Sequence, residues 1–191
     1  MKSVILSIKP KYCELIASGR KAVEVRKTKP KIEVPFKCYI YCTNDFRNYA
    51  TKTRKNEFWV GNPLNSISKG AYIGNGKVIG EFVCNWICDY PYVDDGYSSS
   101  YGYFTIMREA LNMMCLDFGE LETYGDGKTL FGWHISDLKI YDKPKEISEF
   151  KKYYRQCYYD HLGLAIPKCS DCKNCNLKRP PQSWCYIEEL N

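Results

Sequence analysis

The sequence predicts an α+β fold over residues 1–150, followed by a metal-binding appendage over residues 151–191. Three observations lead to this expectation. Residues 3–29 have the pattern of a strand, a helix and a second strand; several later runs alternate with a strand's period of two; and four cysteines cluster near the C-terminus. A chain of 191 residues is long enough for one domain with its own core and a short extension.

The N-terminal segment predicts a strand followed by a short helix. Side chains alternate over Ser3–Ile8, so one face of this strand should meet a core. Pro10 stands where the helix would begin, because its fixed φ suits the first helical position and its missing N–H is not needed there. Gly19 supplies the left-handed residue that commonly ends a helix. These signals predict a helix of about two to three turns.

A second strand follows, with charged side chains on one of its faces. Lys21, Val23 and Val25 share one parity, and the two valines should face the core, whereas Glu24 and Arg26 point together off the opposite face. Two interpretations of the charged face stay open. It is either a solvated, self-paired ion pair worth well under ~1 kcal/mol, or, together with Lys21, part of a binding site.

The spacing of these residues matches a known motif, namely Lys-Pro, a short helix and G-x-K-x-x-E-x-R, which here are Lys9, Pro10, Gly19, Lys21, Glu24 and Arg26. The segment Ser7–Lys27 thereby resembles the opening of the ASCH (activating-signal-cointegrator homology) domain. The segment Ile140–Phe150 resembles the end of bacterial and phage-encoded members. The resemblance implies a PUA-like fold, a small twisted β-barrel flanked by short helices, with a cleft that binds RNA or a nucleotide.

Such a cleft suggests a role for individual side chains. Lys9, Lys21 and Arg26 would contact a phosphate or a base edge. Glu24 would accept from an amino or hydroxyl group while it orients Arg26, and Trp133 would stack on a base. The favoured function is therefore the binding of RNA or a modified nucleotide.

Positive charge is concentrated at the N-terminal end of the chain. Residues 1–57 hold 14 Lys or Arg against 5 Asp or Glu, and the remainder holds 14 against 17, so the net charge of +6 is an N-terminal property. Because neutralising phosphates releases counterions, such a segment suits an anionic partner.

Composition excludes several other classes of protein. With 45% hydrophobic and 26% charged residues, the chain is ordinary globular material rather than disordered. No stretch approaches the ~20 apolar residues of a membrane span, and the apolar run before Lys9 is too short for a signal peptide. We therefore expect a cytoplasmic protein with no membrane contact, in which clustered cysteines suggest a metal and scattered ones are buried apolar side chains.

The middle of the chain has weaker patterns of alternating apolar and polar residues. Cys38 and Cys42 lie on the apolar parity of a strand over 36–43, which assigns them to the core. A basic and aromatic segment over 44–70 has little periodicity and is expected to be a loop.

His134 is given no role, because a lone histidine beside a tryptophan is more often a satisfied or surface residue than a catalyst. The other expected elements are a strand over 74–87, a loop over 89–100, helices over 103–114 and 119–124, and strands over 130–135 and 138–141.

The C-terminal segment contains the spacing C-x2-C-x2-C-x9-C, formed by Cys169, Cys172, Cys175 and Cys185. Four thiolates at this spacing suit a tetrahedral Zn²⁺ that orders a segment with no core of its own. Because all four positions are Cys, the zinc would hold structure and would not activate water. The first three cysteines also match a ferredoxin-type run, so an iron–sulfur cluster, or no metal at all, stays an alternative.

Two other functions stay open. Some ASCH proteins are amidohydrolases that deacetylate N4-acetylcytidine with a Lys, a Thr and a Glu, and others act as ribonucleases. Here Lys21 matches the lysine, but Glu24 occupies the threonine position and cannot be a hydroxyl nucleophile, although the two could still transfer protons. No motif places the second acid, for which Glu109, Glu120 and Glu122 are candidates. The other alternative is a module that binds a protein partner through the cysteine segment.

Overall fold

The computed structural model describes residues 1–44, 58–60, 72–94, 99–101, 104–153 and 175–190. The strands are β1 (Lys2–Ile8), β2 (Val23–Arg26), β3 (Phe36–Cys42), β4 (Trp59–Val60), β5 (Tyr72–Ile73), β6 (Val78–Cys84), β7 (Ile87–Tyr90), β8 (Tyr92–Asp94), β9 (Ser99–Tyr101), β10 (Leu130–His134), β11 (Ser136–Lys145) and β12 (Trp184–Glu188). The helices are α1 (Pro10–Ala17), α2 (Phe104–Met114) and α3 (Phe118–Gly125), with a 3-10 turn at Ile147–Glu149. This mixture of sheets and short helices confirms the predicted α+β class. Most of the predicted loop over 44–70 lies outside the described residues.

The chain forms two compact units, each assembled from segments that are distant in sequence. The first unit contains Met1–Pro10, Lys37–Glu81 and Ile140–Asn191. The second unit contains Lys11–Phe36 and Phe82–Lys139.

The first unit has a five-stranded sheet in the order β11-β6-β3-β1-β12. β1 pairs in parallel with β3 and antiparallel with β12, so it is an inner strand. Both of its faces are covered, since Val4, Ile5 and Leu6 are all completely buried. The sequence predicted one buried face; an inner strand with two covered faces needs apolar residues on both, which weakens the alternation.

The C-terminal end of the chain forms the edge of this sheet. β12 pairs with β1 over a register that runs from Lys2 opposite Glu188 to Leu6 opposite Trp184. The described residues before it are also attached, because the Leu177 N–H donates to the Phe150 carbonyl at 2.7 Å. These described residues of the predicted appendage therefore share a sheet with the N-terminal strand.

The core of the first unit lies against β1 and β3. Cys38 and Cys42 are completely buried in β3, which confirms their predicted place in the core. The other parity of β3 is buried as well and contributes Tyr39, whose ring packs edge-on against Phe150 at 5.1 Å between centroids. This core cluster consists of Ile5, Tyr39, Tyr41, Val78, Phe150, Leu177 and Ile187.

The second unit has a three-stranded sheet in the order β2-β10-β7 with antiparallel pairing. α2 and α3 pack against it through a core of Val23, Val25, Ala110, Met114, Leu121 and Leu130. α3 begins with a capping box, in which Asp117 accepts from the Glu120 N–H and the Glu120 side chain accepts from the Asp117 N–H. α1 ends as predicted, with Gly19 at φ 72°.

The prediction of a loop over 89–100 is wrong in part, because β8 lies within this range, β9 begins in it, and the two strands pair antiparallel. Strands of three residues are too short to show a period of two in the sequence. Within the described residues, no helix has the length and apolar character that a membrane crossing would need.

Substitution of Gly132 in β10 tests how closely the side chains of the second unit pack around this residue. A Cβ at this position would lie 2.7 Å from Cε2 of Tyr90 and 2.9 Å from Cγ1 of Val23. Because both neighbours belong to the packed sheet and its core, Gly132→Ala should destabilise the protein by about 1–3 kcal/mol in denaturant unfolding. Gly119→Ala in α3 is the control, since its Cβ would meet only Oδ1 of Asp117 at 3.5 Å and alanine favours a helix. Equal free energies of unfolding for the two variants would contradict the close packing around Gly132.

Candidate functional site

The turn between α1 and β2 places Lys21 at the start of the site. The left-handed Gly19 ends the helix, and the Lys21 N–H then donates to the Leu15 carbonyl at 3.0 Å, which folds the chain back against α1. The next residue, Ala22, donates its N–H to the Met113 carbonyl at 2.9 Å, so the turn is also fixed to α2. β2 then begins at Val23.

Lys21, Glu24 and Arg26 form one ionic cluster, which we call the charge cluster. Nζ of Lys21 lies 3.5 Å from Oε2 of Glu24, and a guanidinium nitrogen of Arg26 lies 3.0 Å from Oε1 of the same carboxylate. The three residues are exposed by only 2%, 6% and 6% respectively. The interpretation of this face as a solvated ion pair is therefore wrong, although the predicted pairing of Glu24 with Arg26 is present.

Burial makes this arrangement costly for the protein. Removing charges from water costs several kcal/mol for each ion unless close partners compensate. Lys21 receives such compensation, since it also donates to the Met114 carbonyl at 2.5 Å and lies 5.1 Å from the centre of the Tyr12 ring. Within the charge cluster Lys21 and Arg26 share the Glu24 carboxylate, and the charge of Glu120 also interacts with that of Lys21.

Aromatic and charged residues of α1 and α3 surround the charge cluster. Burial raises the pKa of Tyr12 and of Tyr124, and the charge of Glu24 contributes to the rise at both phenols. Tyr124 is 38% exposed, so the surroundings of the charge cluster reach the surface. These tyrosines were missed in the sequence, where nothing distinguishes them from the other 15.

Glu120 is the acid that the structure brings near Lys21. A hydrogen bond from Lys11, at 3.0 Å, and one from the Asp117 N–H lower the pKa of Glu120, and the charge of Lys21 lowers it further. Glu109 and Glu122, the other two acids considered from sequence, are exposed. The capping-box spacing from Asp117 to Glu120 was readable in the sequence, but its proximity to Lys21 depends on the fold.

Trp133 lies directly opposite Glu24 in the β2–β10 register, so the two side chains share a face of the sheet. Its ring is completely buried and packs edge-on against Phe36, with 5.7 Å between centroids. In this arrangement the indole has no exposed face for a base. Lys9, the remaining residue predicted for the cleft, lies exposed after β1 in the first unit.

Two of the four predicted metal ligands lie within the described residues. Cys175 and Cys185 line a common cavity of about 370 Å³ in the first unit, together with the cations Lys152, Lys178 and Arg179. Burial raises the pKa of the Cys185 thiol, and the charge of Lys152 opposes that rise. Cys169 and Cys172 lie outside the described residues, and no group of three or more potential ligands occurs within them.

The chain is similar to a solved structure of ASCH from Zymomonas mobilis, with 16% identity, a TM-score of 0.48, and coverage of 76% of this chain and 73% of that chain. Two mutant proteins of the same ASCH have TM-scores of 0.46 and 0.45 at 16% identity, and cover 77% and 75% of this chain. All three are structures of ASCH, and ASCH is also the domain family whose opening the N-terminal motif resembles. No protein-family model matches the chain, and a search of curated proteins found no match.

The buried carboxylate of Glu24 gives a prediction about stability. Glu24→Gln would leave Lys21 and Arg26 buried without their counter-charge, so it should lower the free energy of unfolding by about 3–5 kcal/mol. Asp89→Asn is the matched control, because it removes the carboxylate of the Lys29–Asp89 pair, whose side chains are 45% and 49% exposed. The control should cost no more than about 1 kcal/mol. Denaturant unfolding measures the free energy of unfolding of both variants. Equal losses of this free energy would contradict the expectation that a buried carboxylate matters more than an exposed one.

Proposed function

We propose that the charge cluster binds RNA or a nucleotide. The observation that carries this proposal is that Lys21 and Arg26 are both buried against the Glu24 carboxylate, at a place whose surroundings include a partly exposed tyrosine. A phosphate or an electron-rich base edge would accept hydrogen bonds from these two cations. The resemblance of the N-terminal motif to the ASCH domain implies the same class of ligand.

Each residue of the charge cluster has a defined part in this proposal. The planar guanidinium of Arg26 offers a fork of donors that suits a phosphate or the acceptor edge of a base. Glu24 holds that fork in place through its 3.0 Å contact, while Lys21 adds a second positive charge. The aromatic rings of Tyr12 and Tyr124 provide surfaces on which a base or ribose would pack.

Binding to short single-stranded RNA, measured by fluorescence anisotropy, tests the proposal. With two phosphate contacts, from Lys21 and Arg26, affinity should fall about 7-fold between 50 and 200 mM salt. Lys21→Met and Arg26→Lys should each weaken binding by roughly 10-fold or more, because each removes a charge-assisted hydrogen bond. Lys29→Ala, which removes an exposed cation of the same unit, is the control and should change affinity little.

Three outcomes of this experiment decide between the interpretations. Equal weakening by Lys21→Met and Lys29→Ala would show that only overall charge matters and that the charge cluster is not the site. Absence of RNA binding even at low salt would remove the RNA interpretation and would favour a protein partner. Loss of intact RNA, or release of acetate from N4-acetylcytidine, that disappears in Lys21→Met would favour a hydrolase that uses Lys21 and Glu24.

We also propose that the C-terminal segment holds a structural zinc through Cys169, Cys172, Cys175 and Cys185. The support is that Cys175 and Cys185 line one cavity, although nine positions separate them in the sequence. Among the described residues that line this cavity, three are cations and none is Asp or Glu. A zinc ion with four thiolates carries two net negative charges, which such cations would stabilise. The same electrostatics would favour an iron–sulfur cluster, so the metal must be identified directly.

Metal analysis of protein purified without an affinity metal tests this proposal. We expect one zinc per chain, lost in Cys175→Ser and in Cys185→Ser, because each removes a thiolate ligand. Cys88→Ser, which changes an exposed cysteine of the second unit, is the control and should retain the metal. Stoichiometric iron with visible absorption would show that the segment holds an iron–sulfur cluster and not zinc. Protein without metal would contradict the proposal.

A further inference from the structure

The turn between β6 and β7 presents a tryptophan ring that rests on an imidazole. Trp86 is 38% exposed, and its indole stacks on His134 with 4.7 Å between ring centroids and 11° between the planes. The two residues face each other across the β7–β10 pairing, where the His134 N–H donates to the Trp86 carbonyl at 3.1 Å. Since the imidazole covers one face of the indole, the exposed area belongs to its other face and its edges.

Hydrogen bonds hold this ring pair in place. The Cys84 thiol donates to the Trp86 carbonyl at 3.3 Å, and burial raises its pKa to about 12, so it remains a neutral donor. Nδ2 of Asn85 donates to Oγ of Ser136 at 2.8 Å, and that hydroxyl donates to the Val83 carbonyl at 2.8 Å. A surface that is ordered in advance loses little conformational freedom when a ligand binds.

The ring pair is separate from the charge cluster. In the β2–β10 register, Trp133 lies opposite Glu24, whereas His134 lies opposite Val23. Because neighbouring residues of a strand point to opposite faces, His134 and Trp86 lie on the face opposite to that of Glu24. A ligand on Trp86 would therefore use residues that the proposal for the charge cluster does not involve.

The imidazole also has unused capacity for hydrogen bonding. Nδ1 of His134 is buried and has no hydrogen-bond partner among the described residues. A buried polar nitrogen without a partner is uncommon in native proteins and marks a place where a water or a ligand completes the bonding. The histidine is thus more than a packing residue beneath the indole.

We propose that Trp86, supported by His134, is a stacking platform for a nucleobase, either in single-stranded RNA or in a free nucleotide. A flat aromatic face with a parallel ring beneath it continues naturally into a stack with a planar base, and such stacking is tolerant of base identity. Recognition of a quaternary ammonium group typically uses a cage of several aromatic rings, which differs from this single platform. This inference does not depend on the function proposed for the charge cluster.

Nuclear magnetic resonance of the four tryptophan indole N–H groups tests the platform directly. The Trp86 signal is identified by its absence in Trp86→Phe. A short single-stranded adenylate oligonucleotide and AMP are then added separately. The Trp86 signal should shift with one or both ligands. A shift with AMP indicates that a free nucleotide suffices, and a shift only with the oligonucleotide indicates that the RNA chain is required.

Affinity for the oligonucleotide provides the second readout. Trp86→Ala should weaken binding by roughly 5- to 150-fold, the range for the loss of one base–aromatic stack, whereas Trp86→Phe should retain most of it. Thermal unfolding checks that both variants are folded. If Trp86→Ala does not fold, the platform is still tested by the Trp86 indole signal of the wild type, which Trp86→Phe identifies. An unmoved Trp86 signal with both ligands, or equal affinity of folded Trp86→Ala, overturns the platform. The charge-cluster variant Lys21→Met should leave the Trp86 shift with AMP unchanged, which separates failure here from failure of the proposed function.

Discussion

The second unit depends on one carboxylate, that of Glu24, which lies between two buried cations. Its Oε1 faces the Arg26 guanidinium at 3.0 Å and its Oε2 faces Nζ of Lys21 at 3.5 Å. The same lysine donates to a carbonyl at the end of α2. The charge cluster therefore connects the end of α1, the strand β2 and the end of α2 through interactions that are strong only because water is excluded. Polar contacts of this kind require specific geometry, so they fix the turn more narrowly than apolar packing would.

Both candidate sites bring cations close together. In the charge cluster, two cations meet one carboxylate; in the C-terminal cavity, Lys152, Lys178 and Arg179 lie beside two thiols. An anion at the first site, or a thiolate centre at the second, would stabilise such cations further. The two sites thus share one electrostatic principle although their expected partners differ. The Trp86–His134 pair differs from both, because its expected contribution is stacking and not charge.

Local signals predicted much of the fold. Pro10 and Gly19 marked the limits of α1, and the parity of β3 placed Cys38 in the core, because each of these features depends on residues that are close in sequence. The pairing of β12 with β1 was not predicted, since it joins residues more than 170 positions apart. β8 and β9 were missed because three residues carry no readable period. Trp133 was expected at the surface of a cleft, but a sequence does not show whether an aromatic ring is covered.

The sequence by itself determined that Glu24 and Arg26 lie together, since the period of a strand puts them on one face; the turn before β2 placed Lys21 beside them only in the folded structure. It also determined the spacing of the four cysteines. Only the tertiary structure decided that this charged face is buried, that Cys175 and Cys185 share a cavity, and that Trp86 rests on His134. The physical reason is that periodicity specifies which side chains share a face, whereas burial and contact depend on what distant parts of the chain place over that face.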